Sequence, residues 1–162
     1  MSATQEDLFA LFDKLEVETT TRHHAAVFTV EENRAQRGEL AGGHCKCLFL
    51  KDKKGALWLV VTLEDRSIDM KALRHVIGAA GLSFANPELL HEVLGVEPGS
   101  VTPFALINDA ERHVNVVLDA EMMDLELLNY HPLVNTATTT IGAGDLLKFI
   151  GACGHEARAL KI

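Results

Sequence analysis

The sequence predicts a mixed α/β (α+β) domain, and three observations carry that expectation. Strand-like runs come partly in hairpins and partly separated by helical stretches, so the chain is not a regular βαβ succession. Apolar residues recur at helical spacing near the start, with Leu8, Leu11, Phe12 and Leu15 at i, i+3, i+4 and i+7. Turn and cap residues punctuate the chain where the period changes, as in "DKKG" at Asp52–Gly55 and in Asn86-Pro87. The 162 residues fit one domain, 1–162, with room for a sizeable core.

Taken in order, Thr4–Leu15 is expected to form an amphipathic helix, Ala26–Val30 a strand, and Glu31–Gly38 a short exposed helix with a weak apolar stripe. Lys46–Glu64 predicts a hairpin turning at "DKKG", its second run apolar enough for a central strand. Asp69–Ala80 predicts a helix with Leu73, Val76, Ile77 and Ala80 on one face, and "GLSFA" a short strand. Asn86 and Pro87 predict an N-cap and first helical residue, with Gly95 ending that helix. "SVTPFALI" and "HVNVVLD" are expected to be strands joined through "NDAER". A helix is expected over Ala120–Leu128, another in "GDLLKFIGACG", and a last strand in "HEARALKI".

A formal charge of −8 disfavours wrapping of duplex DNA or coating of RNA, so any nucleic-acid contact must be local. No apolar run approaches the roughly 20 residues of a membrane span. The acidic start, "MSATQEDLFALFDKLEVE", differs from a basic leader, and three cysteines form no disulfide framework. The expectation is a cytoplasmic protein with neither DNA nor membrane as partner.

Four places could carry chemistry. Gly99–Pro103 is a G-x-x-x-P loop whose amides could hold an oxyanion, or an ordinary Pro-Gly turn. Lys46 follows a flexible Gly42-Gly43 at a strand mouth and could anchor a phosphate or carbonyl, or be a solvated strand end. His131 precedes Pro132, which disfavours helical backbone there. Its imidazole could bind a ribose or water, accept a proton, or cap the preceding helix. In "LVNTATTTI", Asn135, Ala137 and Thr139 would share one strand face and the even-numbered threonines the other, toward a cleft or toward solvent. "HCKC" at His44–Cys47 lacks a second Cys/His pair at metal-site spacing, and His23-His24 stands isolated.

In that order and spacing, "VFTVEE", "GGHCKCLFLKDKKGALWLVV", "VEPGSVTPFAL" and "NYHPLVNTATTTIGAGDLLKFI" resemble the YbaK/prolyl-tRNA-synthetase editing-domain family. Within it they look most like the free-standing alanyl-tRNA(Pro) deacylases. The resemblance implies a single-domain YbaK-like editing fold, a mixed sheet flanked by helices, working without metal or cofactor. It implies hydrolysis of the ester joining a wrong amino acid to tRNA(Pro), alanine first and cysteine as the rival. A catalytically idle tRNA- or amino-acid-binding module on this fold is the alternative. The acceptor end of tRNA(Pro) is the implied partner, with a loose association with prolyl-tRNA synthetase.

Carried onto this chain, the resemblance implies catalytic roles for Lys46, Gly99 and His131. It implies substrate binding by Ser100, Val101, Thr102, Pro103, Tyr130 and Asn135. Four departures stand out: Cys47 where asparagine is usual, Ala105 for a common glycine, "HHAAVFT" for a more proline-rich run, and "GAGD" at a helix start. Cys47 bears on one substrate hydrogen bond; the others touch packing and capping.

Overall fold

The computed structural model describes residues 2–25 and 42–162. The expected strand at Ala26–Val30 and helix at Glu31–Gly38 lie outside those residues.

Helix α1 (Gln5–Lys14) starts where Thr4 accepts from the Asp7 N–H while the Asp7 carboxylate accepts from the Thr4 N–H, a reciprocal capping box. Its apolar stripe buries Leu8 and Phe12. Strand β1 (Thr19–His23) follows. Its run Thr-Thr-Thr-Arg-His has no apolar alternation, so its pattern does not announce a strand. Antiparallel pairing with the distant segment Ala137–Gly142 makes it one.

The expected hairpin is β2 (Gly43–Asp52) with β3 (Leu57–Leu63), in register from Cys45↔Leu63 to Lys51↔Leu57. Asp52 builds its turn: one carboxylate oxygen accepts from Lys54 and Ala56 N–H at 2.9 Å each, the other from the Trp58 indole. Helix α2 (Met70–Ile77) is capped by Asp69 and closed by Gly78 at φ 77°. Strand β4 (Leu82–Phe84) and helix α3 (Pro87–Leu94) follow, α3 capped by the Asn86 side chain and ended by left-handed Gly95.

Two expectations fail next. "SVTPFALI" is not a strand: Pro98–Ser100 and Pro103–Asn108 are 3₁₀ turns, the second capped by Thr102 Oγ1 on the Phe104 N–H. Pro103 suits a first helical position and cannot donate to a ladder. Phe104, Ala105 and Leu106 are buried, so no polar face distinguished this run from a buried strand. "NDAER" is consequently no hairpin turn. Instead, the Asp109 carboxylate accepts from the His113 and Val114 N–H groups and delivers the chain into β5 (Val114–Asp119).

The expected helix over Ala120–Leu128 stops after one turn, α4 (Ala120–Met123), and Leu127–Tyr130 forms β6. Leucine-rich composition favoured a helix; antiparallel pairing with β7 (Ala137–Gly142) and parallel pairing with β2 overrides it. Asn135 lies in the turn before β7 and not on the strand. Helix α5 (Ala143–Ala152) and β8 (Arg158–Leu160) complete the described chain.

The eight strands form one mixed sheet in the order β1-β7-β6-β2-β3-β5-β8, with β4 on β2. One face carries the main core, where Phe12, Phe104 and Phe149 meet at ring-centroid distances of 5.2–5.6 Å. Strand alternation sends Leu50, Trp58, Val60 and Val117 to the other face, under Leu73 and Ile77 of α2.

Candidate active site

Strand β2 is shared along one edge by two partners. Strand β6 pairs with it only through Gly43↔Leu128 and His44↔Asn129, and β4 joins only from Leu50↔Phe84 onward. Between them, Cys45–Leu48 has no ladder partner on that edge among the described residues. A cavity of about 20 Å³ opens there. Cys45, Cys47, Tyr130, His131, Thr138 and Val101 line it, with His44 and Asn129 at the strand junction.

The Gly42-Gly43 pair is not a flexible entry to Lys46. Gly42 holds φ 90°, and a Cβ there would stand 2.6 Å from the Leu127 carbonyl oxygen; a Cβ on Gly43 would stand 2.5 Å from a Leu125 methyl. These glycines let β2 and β6 approach and so close one end of the cleft.

His131 is held from both sides. The Leu133 N–H turns back onto the His131 carbonyl at 3.0 Å, Leu133 itself adopting φ 72°. The ring's Nδ1 lies 3.0 Å from the Ala137 carbonyl oxygen. A carbonyl only accepts, so Nδ1 carries the hydrogen and neutral His131 presents Nε2 as an acceptor. Burial pulls its pKa below the ordinary value; the Ala137 bond opposes this and nearby His24 adds to it. The ring is therefore neutral near pH 7.

His24, which looked isolated in the sequence, stands 6.3 Å from His131 between ring centroids. Its Nδ1–H donates to the Ala25 carbonyl at 2.7 Å, leaving Nε2 to accept from Thr138 Oγ1 at 2.8 Å. Asn129 also escaped the sequence reading. Its amide donates to the Gly43 carbonyl and accepts from Thr140 Oγ1, tying β6 to β2 and β7 at the cavity. The signal for Asn129 was its place beside Tyr130; for His24 only the fold supplies the partner.

Tyr130 is buried beneath the cavity, its ring edge-on to Phe104 at 5.7 Å and its hydroxyl on Met122 Sδ at 3.3 Å. Cys45 and Cys47 are protonated thiols: burial pushes Cys45 up to about 12 and raises Cys47 well above its usual value.

Of the G-x-x-x-P loop, Val101 reaches the cavity. Gly99 sits in the 3₁₀ turn, and the Ser100 N–H is bonded to the Glu97 carbonyl at 2.9 Å. Thr102 and Pro103 are buried in the cap of the next turn, and half-buried Asn135 stands outside the cavity wall. Lys46 alternates away from Cys45 and Cys47, pairs with Thr62, and donates from Nζ to the Arg66 carbonyl at 2.5 Å. Beside it, the Arg66 guanidinium and Thr62 Oγ1 both donate to the buried Asp119 carboxylate. The structure thus brings Val101, Tyr130 and His131 together and leaves the Lys46 ammonium on the opposite face of β2.

A sequence model described as an aminoacyl-tRNA editing domain matches residues 24–149. The chain belongs to the aminoacyl-tRNA editing domain family. The match begins at His24 and runs past His131, so it contains the whole cleft. The chain is 40% identical over 153 residues to the prolyl-tRNA synthetase associated domain-containing protein 1 of Danio rerio, covering 93% of this chain and 83% of that one. It is 34% identical over 159 residues to the prolyl-tRNA editing protein ProX of Acetoanaerobium sticklandii, covering 98% and 97%. Among solved structures, a candidate trans-editing enzyme for prolyl tRNA synthetase superposes with a TM-score of 0.70 at 18% identity, covering 100% and 99%. Hypothetical protein APE2540 superposes with a TM-score of 0.75 at 17% identity, covering 94% and 97%. These two likenesses establish the mixed α/β editing fold. Among the described residues, no cluster of three or more His, Cys, Asp or Glu side chains could hold a metal ion, and no helix is long and apolar enough to cross a membrane.

Proposed function

We propose that the protein is a free-standing hydrolase that removes a wrong amino acid, alanine foremost, from tRNA(Pro). The observation that carries this reading is the joining of a very small cavity to a neutral histidine acceptor in a chain of the editing family. The cavity, about 20 Å³, offers room for little more than a water or a methyl group.

An aminoacyl ester is already activated, so positioning and oxyanion stabilisation supply much of the catalysis. Water adds to the ester carbonyl, the bond to the tRNA 3′ oxygen breaks, and the water's proton ends on that oxygen. His131 Nε2 accepts from the attacking water or from the ribose 2′-hydroxyl, which relays the proton. The Gly99–Pro103 loop directs backbone N–H groups at the ester oxygen from the Val101 side; Ser100, already bonded, is not one of them. Lys46, on the opposite face of β2, serves as a phosphate anchor only by leaving the Arg66 carbonyl and reaching past the open edge of β2 to the acceptor strand. Tyr130 and Thr138 limit the amino-acid side chain.

The test is deacylation by the purified protein of tRNA(Pro) charged with alanine, cysteine, serine or proline. Preferential release of alanine supports the proposal. Preferential release of cysteine moves the chain to the other deacylase branch. Absence of turnover on all four, with tRNA still bound, makes it a binding module.

A further inference from the structure

Next to the His131 cavity lies a second hollow, of about 270 Å³, that the reaction above leaves unused. Cys47, Phe49, Phe84, Pro87, Leu90 and Val101 line it, without a charged side chain among the described residues. Its origin is the same gap along β2. Strand β4 reaches β2 only at Leu50, the Ala85 N–H closing onto the Phe49 carbonyl at 3.0 Å, and the side chains just before that point face an opening. Cys47 and Val101 line both hollows, so the two are neighbours. Phe84 is 66% exposed at the rim, on a three-residue strand whose fold does not require an aromatic in water.

Resting on the deacylase reading, we propose that this groove receives the terminal base of the tRNA acceptor strand, with Phe84 as its stacking platform. In the substrate, one ribose separates the ester carbon from the terminal base. With the ester at the His131 cavity, that base must lie within a sugar's length of it. The groove shares its Cys47 and Val101 wall with that cavity and is apolar, which suits the faces of a base and not a phosphate. An exposed ring beside an apolar wall is how proteins hold unpaired bases irrespective of sequence.

The test uses the full chain, with Phe84→Ala and Phe84→Trp, on two Ala-tRNA(Pro) substrates: the normal one and one whose terminal nucleotide lacks its base. Phe84→Ala should raise KM for the normal substrate by about 5- to 150-fold, with kcat and the ranking of amino acids little changed. Phe84→Trp should restore KM. On the abasic substrate wild type and Phe84→Ala should be alike, since the stacking partner is already gone. Losses that add between variant and abasic substrate would overturn the proposal. So would an altered amino-acid ranking, which would give the groove to the side chain instead. Titration of a short oligonucleotide ending in CCA reads the same contact without catalysis: Phe84→Ala should weaken its binding. If wild type hydrolyses no charged tRNA yet this difference persists, the deacylase reading fails and the docking survives. Equal affinities refute the docking.

Discussion

The imidazole of His131 is tied through Nδ1 to the Ala137 carbonyl oxygen, 3.0 Å away across the turn that leads into β7. That bond selects the tautomer, and burial lowers the pKa from 6.5. Nε2 should therefore keep its lone pair at pH values where a free imidazole has begun to protonate. The acid limb of the deacylation profile should lie below 6.5, and His131→Gln should remove that limb along with most of the rate. Stability follows the same sign: the folded state binds fewer protons than the unfolded state as pH falls below 6.5, so His131 contributes stability that is lost through its folded pKa. Thermal midpoints of wild type and His131→Gln between pH 5 and 7, chosen to bracket the ordinary range, should converge toward the acid end. Parallel curves would mean that His131 does not titrate there.

His24 acts on this group from 6.3 Å. Its removal eliminates the neighbour that lowers the His131 pKa and opens the site to water, and both changes raise that pKa. His24→Ala should shift the acid limb upward in pH while leaving the order of amino-acid preference intact. An unshifted limb would make His24 only a tether for Thr138 Oγ1.

Lys46→Ala separates chemistry from scaffolding. The variant loses one partly buried hydrogen bond to the Arg66 carbonyl, a loss of about 0.5–1.5 kcal/mol in stability. If Lys46 anchors the acceptor strand as proposed, deacylation should fall far more than that change accounts for. Normal activity in a slightly less stable protein would leave Lys46 as a support for Arg66 and Asp119.

Gly42→Ala should destabilise the fold by more than the ~1 kcal/mol of an ordinary glycine replacement. The residue is left-handed, and its new Cβ would meet backbone 2.6 Å away at Leu127, which cannot swing aside like a flexible side chain. Denaturant unfolding measures the change. A loss no greater than that at Gly55, whose surroundings are open, would show that β2 and β6 have room to separate.

Residues governed by local rules were legible in the sequence. Asn86 and Gly95 cap a helix as their types require, Asp52–Gly55 turns the hairpin, and Thr4 and Asp69, expected as first helical residues, stand one position outside as N-caps. Non-local pairing hid the rest. Thr19–His23 is a strand because β7 lies beside it, and Leu127–Tyr130 because it lies between β7 and β2. Phe104–Leu106 is buried, so its period carried no signal. Of the site, His131 and Val101 stood in recognisable motifs, whereas His24 reaches Thr138 across 114 sequence positions. The orientation of Lys46 could not be read from its neighbours either: strand alternation places it opposite Cys45 and Cys47 only once the register of β2 is known.

The remaining prediction concerns what the cavity admits. Ester hydrolysis is similar for every amino acid, so selectivity depends on fit, and the wall here yields little. Tyr130 is fixed by Phe104 on one side and Met122 on the other, and Thr138, a stiff β-branched residue, is held by His24. A side chain exceeding the space meets overpacking of roughly 1–3 kcal/mol or more, enough to suppress turnover several-fold to over a hundredfold. Wild type should therefore cleave Ala-tRNA(Pro) well, Ser-tRNA(Pro) weakly and Pro-tRNA(Pro) hardly at all. Cys47→Ala removes volume without touching His131, and Thr138→Ser removes a methyl while keeping the hydroxyl on His24. Both should raise the rate on serine and proline relative to alanine, read from initial rates at equal concentrations of charged tRNA. Comparable wild-type rates on alanine and proline would refute exclusion by size even if deacylation itself is observed. Unchanged ratios in both variants would place the limiting wall elsewhere than Cys47 and Thr138.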